Sequence, residues 1–200
     1  MPQNSALIFG VGPRQGVGAE LCHRAASRGL HVFVNGRTQA KINAVVADIE
    51  AAGGSATPLL ADVTQESELS KALQAVAADN RPLELAIYNA GNNRPEKFLD
   101  VTPEVYEGMW RVICFGGFLA AQATLRLMLA QQGESEKQSL FFTGASGSLR
   151  GKAGFSAFAS ASLFGGIGGW GIKLLKHRGD DLGFRVSGLG FRVQGLGFRV

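Results

Sequence analysis

Five short apolar runs, separated by stretches of helical period, restrict what this chain can become. Residues 6–9, 31–34, 56–60, 83–88 and 140–143 read as strands. Between them apolar positions recur near every 3.6 residues, as in Leu69, Ala72, Leu73 and Val76. Strands apolar on both faces and joined by helical crossovers imply a doubly wound α/β fold: about five parallel strands, covered by helices on both sides. In such folds ligands bind beyond the carboxyl ends of the strands. Functional residues are therefore expected in the loops that start at Gly10, Asn35, Ala61, Asn89 and Gly144.

The pattern stops after Ser162, which divides the chain into a domain of residues 1–162 and a glycine-rich tail of residues 163–200. In the tail, Gly165-Gly166-Ile167-Gly168-Gly169-Trp170-Gly171 opposes a long helix, because each glycine costs about 1 kcal/mol relative to alanine. Leu-Gly-Phe-Arg-Val then recurs from positions 182, 189 and 196. No apolar seam with charged flanks supports a coiled coil. In a continuous strand an odd period would flip the apolar face at each repeat. An irregular tail is expected, reading more like a translated tandem nucleotide repeat than a selected segment. A sheet ending at the fifth strand would leave an open edge.

The charge balance narrows the partners. Residues 1–162 hold 14 Lys/Arg and 14 Asp/Glu, so the net charge of +4 comes wholly from the tail. No nucleic-acid footprint is expected from a balanced body. Cys22 and Cys114 form no CxxC pair, and His23, His31 and His177 are dispersed; neither a disulfide framework nor a metal site is expected. The apolar helix around residues 118–130 is interrupted by Gln122 and Arg126 and reads as too short to span a bilayer. The N-terminus lacks a basic-then-apolar leader. A cytoplasmic protein without a membrane partner is the expectation. Trp110 and the phenylalanines of the helix at residues 103–131 are expected in the core, and Asp180-Asp181 in solvent.

Chemistry concentrates in the loop Gly10-Val11-Gly12-Pro13-Arg14-Gln15-Gly16-Val17-Gly18, between the first strand and the first helix. Glycines there permit a tight turn and close backbone approach to a pyrophosphate, and the helix N-terminus offers unpaired N–H groups. Gly12, Arg14, Gly16, Val17 and Gly18 are the candidate cofactor residues of this loop. After the second strand, Asn35-Gly36-Arg37-Thr38 has no carboxylate where one would bind a ribose 2′-hydroxyl. Arg37 can instead pair with a 2′-phosphate through its planar fork, which favours NADP over NAD.

The Gly12-x3-Gly16-x-Gly18 spacing resembles the short-chain dehydrogenase/reductase family, with Val11 where that family commonly has threonine. Asp62-Val63 after the third strand is similar to the family's adenine-contacting pair, and Asn89-Ala90-Gly91 after the fourth to its NAG motif. The resemblance covers about 80% of the chain, with all the motifs in order at plausible spacings. It implies a Rossmann-type fold, a nicotinamide cofactor and a small carbonyl or alcohol substrate.

The resemblance also implies four catalytic positions, an asparagine, a serine, a tyrosine and a lysine. Here they fall on Ile113, Ala145, Phe158 and Ser162. Phenylalanine has no exchangeable proton, and a positioned general acid is commonly worth about 10²- to 10⁴-fold in rate. Ser146 could replace the serine without restoring a proton donor. The family's last strands, and the helix that helps form its oligomer interface, are absent or disrupted beyond residue 162; an oligomer remains open. Three functions follow: an NADP-dependent oxidoreductase with impaired catalysis, a non-catalytic nucleotide-binding or interaction protein, or a truncated product without function.

Overall fold

The computed structural model describes residues 3–91, 94–131, 138–144 and 153–162, together with the backbone of 163–164, 171–176, 182–188 and 191–194. Five parallel strands form its centre: β1 (Ser5–Phe9), β2 (His31–Gly36), β3 (Ala56–Leu60), β4 (Leu83–Tyr88) and β5 (Gln138–Phe142). The sheet runs β3-β2-β1-β4-β5 before its antiparallel extension. Chain order thus reverses at β1, which lies between β2 and β4.

β1 and β2 are buried along their whole length. Because successive side chains alternate across a strand, β1 feeds two cores. Leu7 and Phe9 join the cluster that includes Leu69, Leu73 and Val76 of α3 (Glu66–Ala78) and Ala120 and Met128 of α5 (Gly116–Ala130). Ala6 and Ile8 join the other, with Ala19 and Cys22 of α1 (Val17–Ala26) and Ile42, Val45 and Ile49 of α2 (Gln39–Ala51). The fold is the Rossmann-like doubly wound sheet expected from the sequence. Burial pushes the Cys22 thiol up to about 12, so it is not a thiolate near neutral pH.

α4 (Pro103–Trp110) starts where Thr102 accepts the Val105 N–H at 3.4 Å and Pro103 supplies a pre-set φ. A π turn at Arg111–Phe115 joins it to α5, giving one helical run at Pro103–Ala130. This corrects the expectation of a helix too short to span a bilayer: the run is 28 residues long and holds an 18-residue window of mean hydropathy 1.7, long and apolar enough by length and composition alone. Its Gly116, Ala120, Thr124 and Met128 face is nonetheless buried in the protein. Trp110 and Phe118 are 37% and 55% exposed, rather than core as expected. Trp110 instead stacks on Phe115, with ring centroids 5.8 Å apart.

The tail also differs from expectation. β6 (Gly171–Lys176), β7 (Leu182–Gly188) and β8 (Phe191–Gln194) extend the sheet as antiparallel strands, and β6 covers the edge of β5. The odd repeat does not prevent this, because the chain turns back between repeats and antiparallel pairing resets the register. Val186 therefore opposes Val193, its counterpart one repeat later. His177, Asp180 and Asp181 lie outside the described residues.

Candidate functional site

The glycine loop leaves the carboxyl end of β1 at the point where strand order reverses. Gly10 takes φ +76°, and a Cβ there would stand 2.4 Å from the Ala90 backbone. The two loops touch because Gly10 has no side chain. Gly18 serves the same packing, since a Cβ on it would meet the Gly10 carbonyl at 3.0 Å and the Asn89 amide at 3.1 Å. Asn89 ties the turn together: its Nδ2 donates to the Gly10 carbonyl at 3.2 Å, and its Oδ1 accepts from the Thr143 hydroxyl at 3.1 Å. Gly12 has open space where its Cβ would be. α1 begins at Gly16 with no side-chain cap, so the chain's side chains leave its first N–H groups to a ligand.

A groove runs from this loop to the ends of β2 and β3. Gly12, Arg37, Asp62, Val63, Ala90 and Gly91, all anticipated from the sequence, line it. Gly16, Val17, Gly18 and Asn89, also anticipated, are not among its lining residues. Arg14 points elsewhere and pairs with Asp48 of α2 at 2.9 Å. Sequence reasoning had not assigned Lys41 or Val112 to the groove. Lys41 carried a usable signal: it falls one helical turn after Arg37, in the first turn of a helix.

Asn35 belongs to β2, not to the loop after it, and is buried. Its Nδ2 donates to the Leu59 and Ala61 carbonyls at 3.0 and 3.2 Å, which leaves Oδ1 buried without a partner. A buried acceptor in that condition is costly unless something donates to it. α2 begins at Thr38 with neither a side-chain cap nor an acidic residue in its first turn. Arg37 and Lys41 thus add positive charge beside a positive helix end. Open glycine backbone, two uncapped helix starts and two cations fit a dinucleotide carrying phosphates.

Asp62 is held by its own turn. Its Oδ1 accepts from the Thr64 N–H at 2.9 Å and the Thr64 hydroxyl at 2.8 Å, and Arg37 lies 3.5 Å from Oδ2. Burial acts to raise its pKa, but these donors outweigh burial and hold the carboxyl below its usual range. A depressed carboxylate stabilises the fold above its unfolded pKa of about 3.9 and loses that contribution as pH falls through the folded value. Thermal midpoints measured down an acid series should therefore fall less steeply for Asp62→Asn than for the unaltered chain.

Of the four positions implied for catalysis, the three among the described residues do not form a polar site. Ile113 and Phe158 pack against Met109, Ala157 and Ala161, joining α4 and the π turn to α6 (Ser156–Phe164). Ser162 is buried in α6. Ala145 and Ser146 lie outside the described residues. Among the described residues no group of His, Cys, Asp or Glu could hold a metal. His31 is committed to the Ser55 and Thr57 hydroxyls at 2.6 and 3.0 Å.

A glycine turn at the reversal point of a parallel sheet, opening onto an uncapped helix, defines the Rossmann-like nucleotide-binding class. Within that class the chain belongs to the short chain dehydrogenase family, whose profile matches residues 5–166. It is 32% identical over 163 residues to a short-chain dehydrogenase/reductase of Armillaria gallica, 80% of this chain and 60% of that protein. A probable tetrahydroxynaphthalene reductase of Zymoseptoria tritici is 33% identical over 118 residues, 58% of this chain and 43% of that one. The crystal structure of a short-chain dehydrogenase from Rhodopseudomonas palustris matches with a TM-score of 0.72 at 38% identity, covering 82% of this chain and 74% of that one. An actinorhodin polyketide ketoreductase solved with NADPH reaches a TM-score of 0.74 at 20% identity, a likeness of fold, covering 81% of this chain and 60% of its own. The chain spans 60% and 43% of the lengths of the two curated relatives. Nicotinamide cofactor binding is the family's property.

Proposed function

We propose that residues 1–162 form a nicotinamide-nucleotide-binding unit that prefers NADP to NAD and supports little or no turnover of carbonyl or alcohol substrates. The end of β2 carries this reading, because Arg37 and Lys41 stand beside the uncapped start of α2 and the residues between them, 38–40, include no carboxylate. Gly12, Gly16, Val17 and Gly18 take the pyrophosphate, and Asp62, Val63, Asn89, Ala90 and Gly91 enclose the adenosine side. Arg14, engaged with Asp48, is available only if that exposed ion pair opens. The structural neighbour solved with NADPH shares the fold. Bound nicotinamide would supply or accept the hydride. A cytoplasmic setting agrees with this chemistry.

A second reading, non-catalytic binding, is favoured by one observation. Phe158 and Ile113 occupy a shared apolar cluster and offer no proton to a reacting oxygen. Mixing the full chain and NADPH with a panel of aldehydes and ketones should show saturable binding but oxidation of NADPH at least about 10²-fold slower than by a tyrosine-bearing relative. Rates equal to that relative would refute impaired catalysis. Absence of binding would favour a truncated product without function.

A further inference from the structure

The π turn at Arg111–Phe115 carries Val112 into the groove, and the cause lies outside the helix. At the turn the Gly116 N–H bonds to the Arg111 carbonyl, five residues back. In an α-helix it would bond to Val112. The Val112 carbonyl instead accepts from the Tyr88 hydroxyl, which reaches it from the end of β4. Tyr88 is 4% exposed and fixed between Phe9 and Phe142, with ring centroids 6.0 and 5.9 Å away. Gly116 provides the seat: a Cβ there would stand 2.7 Å from the Tyr88 hydroxyl and 3.1 Å from Val63, another groove residue.

We propose that Tyr88 is a positioning residue for the nucleotide groove, acting by holding the π turn that presents Val112 beside Val63. The inference rests on the nucleotide-binding reading above. Without the hydroxyl, the Gly116 N–H returns to Val112 and the turn relaxes to α. Slipping one residue rotates the preceding helix by about 100°, since an α-helix has 3.6 residues per turn. That rotation takes Val112 off the groove wall. The raised pKa of Tyr88, caused by burial and then by the nearby Asp62 and Cys114, agrees with a hydroxyl that stays protonated and donates.

The test is a double-mutant cycle on NADPH affinity in the full chain, with Tyr88→Phe, Val112→Ala and the pair. Each single variant should weaken binding about tenfold, and the pair no further, because both act through one wall. A Tyr88→Phe protein that binds like the unaltered chain, or losses that simply multiply, would overturn the proposal. A general loss of stability would not produce the shared limit. Should Tyr88→Phe fail to fold, hydrogen exchange on the unaltered chain decides: NADPH should slow exchange at residues 111–116, and unchanged exchange there despite binding refutes the role. If the unaltered chain binds no NADPH, the nucleotide reading fails and takes this inference with it.

Discussion

Gly10→Ala should lower stability by roughly 3 kcal/mol or more and abolish nucleotide binding. Two costs add at that position. The backbone sits at φ +76°, where a side chain costs about 1–2 kcal/mol. A Cβ 2.4 Å from the Ala90 backbone must also displace the Asn89-Ala90-Gly91 turn or β1, and such overpacking typically costs about 1–3 kcal/mol. Thermal denaturation followed by circular dichroism should show the midpoint falling by about 10 °C for a chain of this size. Gly12→Ala is the informative contrast, because open space surrounds that position and the fold should tolerate the methyl group. Equal midpoints for Gly10→Ala and the unaltered chain would contradict the account of the turn.

Arg37→Ala should separate the two cofactors. Removing a charge-assisted bond to a 2′-phosphate costs about 1.5–3 kcal/mol, or roughly 10- to 150-fold in affinity. NADPH binding, read by fluorescence titration, should weaken by that factor while NADH binding changes little. Fold stability should barely move, since the Arg37–Asp62 pair is 3.5 Å long and Arg37 is 65% exposed. Equal losses for both nucleotides would show that Arg37 does not read the phosphate.

The parallel sheet was legible because its determinants are local. Residues 56–60 and 83–88 carry their strands on apolar content alone, and these became β3 and β4 with unchanged bounds. β2 runs past the expected residue 34 to Gly36, because Gly36 pairs with Leu60 and packs so closely that a Cβ would meet the Val11 carbonyl at 2.5 Å. No local pattern announces such a contact. The tail misled for a related reason: its odd period argues against one continuous strand, whereas cross-strand pairing depends on where the chain turns.

The candidate site was legible where a residue type has one strong use and obscure where placement depends on a distant partner. Gly12, Arg37, Asp62 and Ala90 were readable from motif and position, and the groove contains them. Asn35 gains its interest from the carbonyls of a neighbouring strand, which leave Oδ1 alone. Val112 reaches the groove through a π turn whose carbonyl is held by the Tyr88 hydroxyl from another strand, a contact that no local pattern announces. Trp110 and Phe118 were expected inside because aromatic residues favour burial, but their helix turns its small residues inward instead.

Calorimetric titration of the full chain with NADPH and with NADH tests the central claim most directly. The groove described above predicts saturable binding of one NADPH per chain, at least about tenfold tighter than NADH. Tighter binding of NADH, or no binding of either nucleotide by a folded chain, would contradict it.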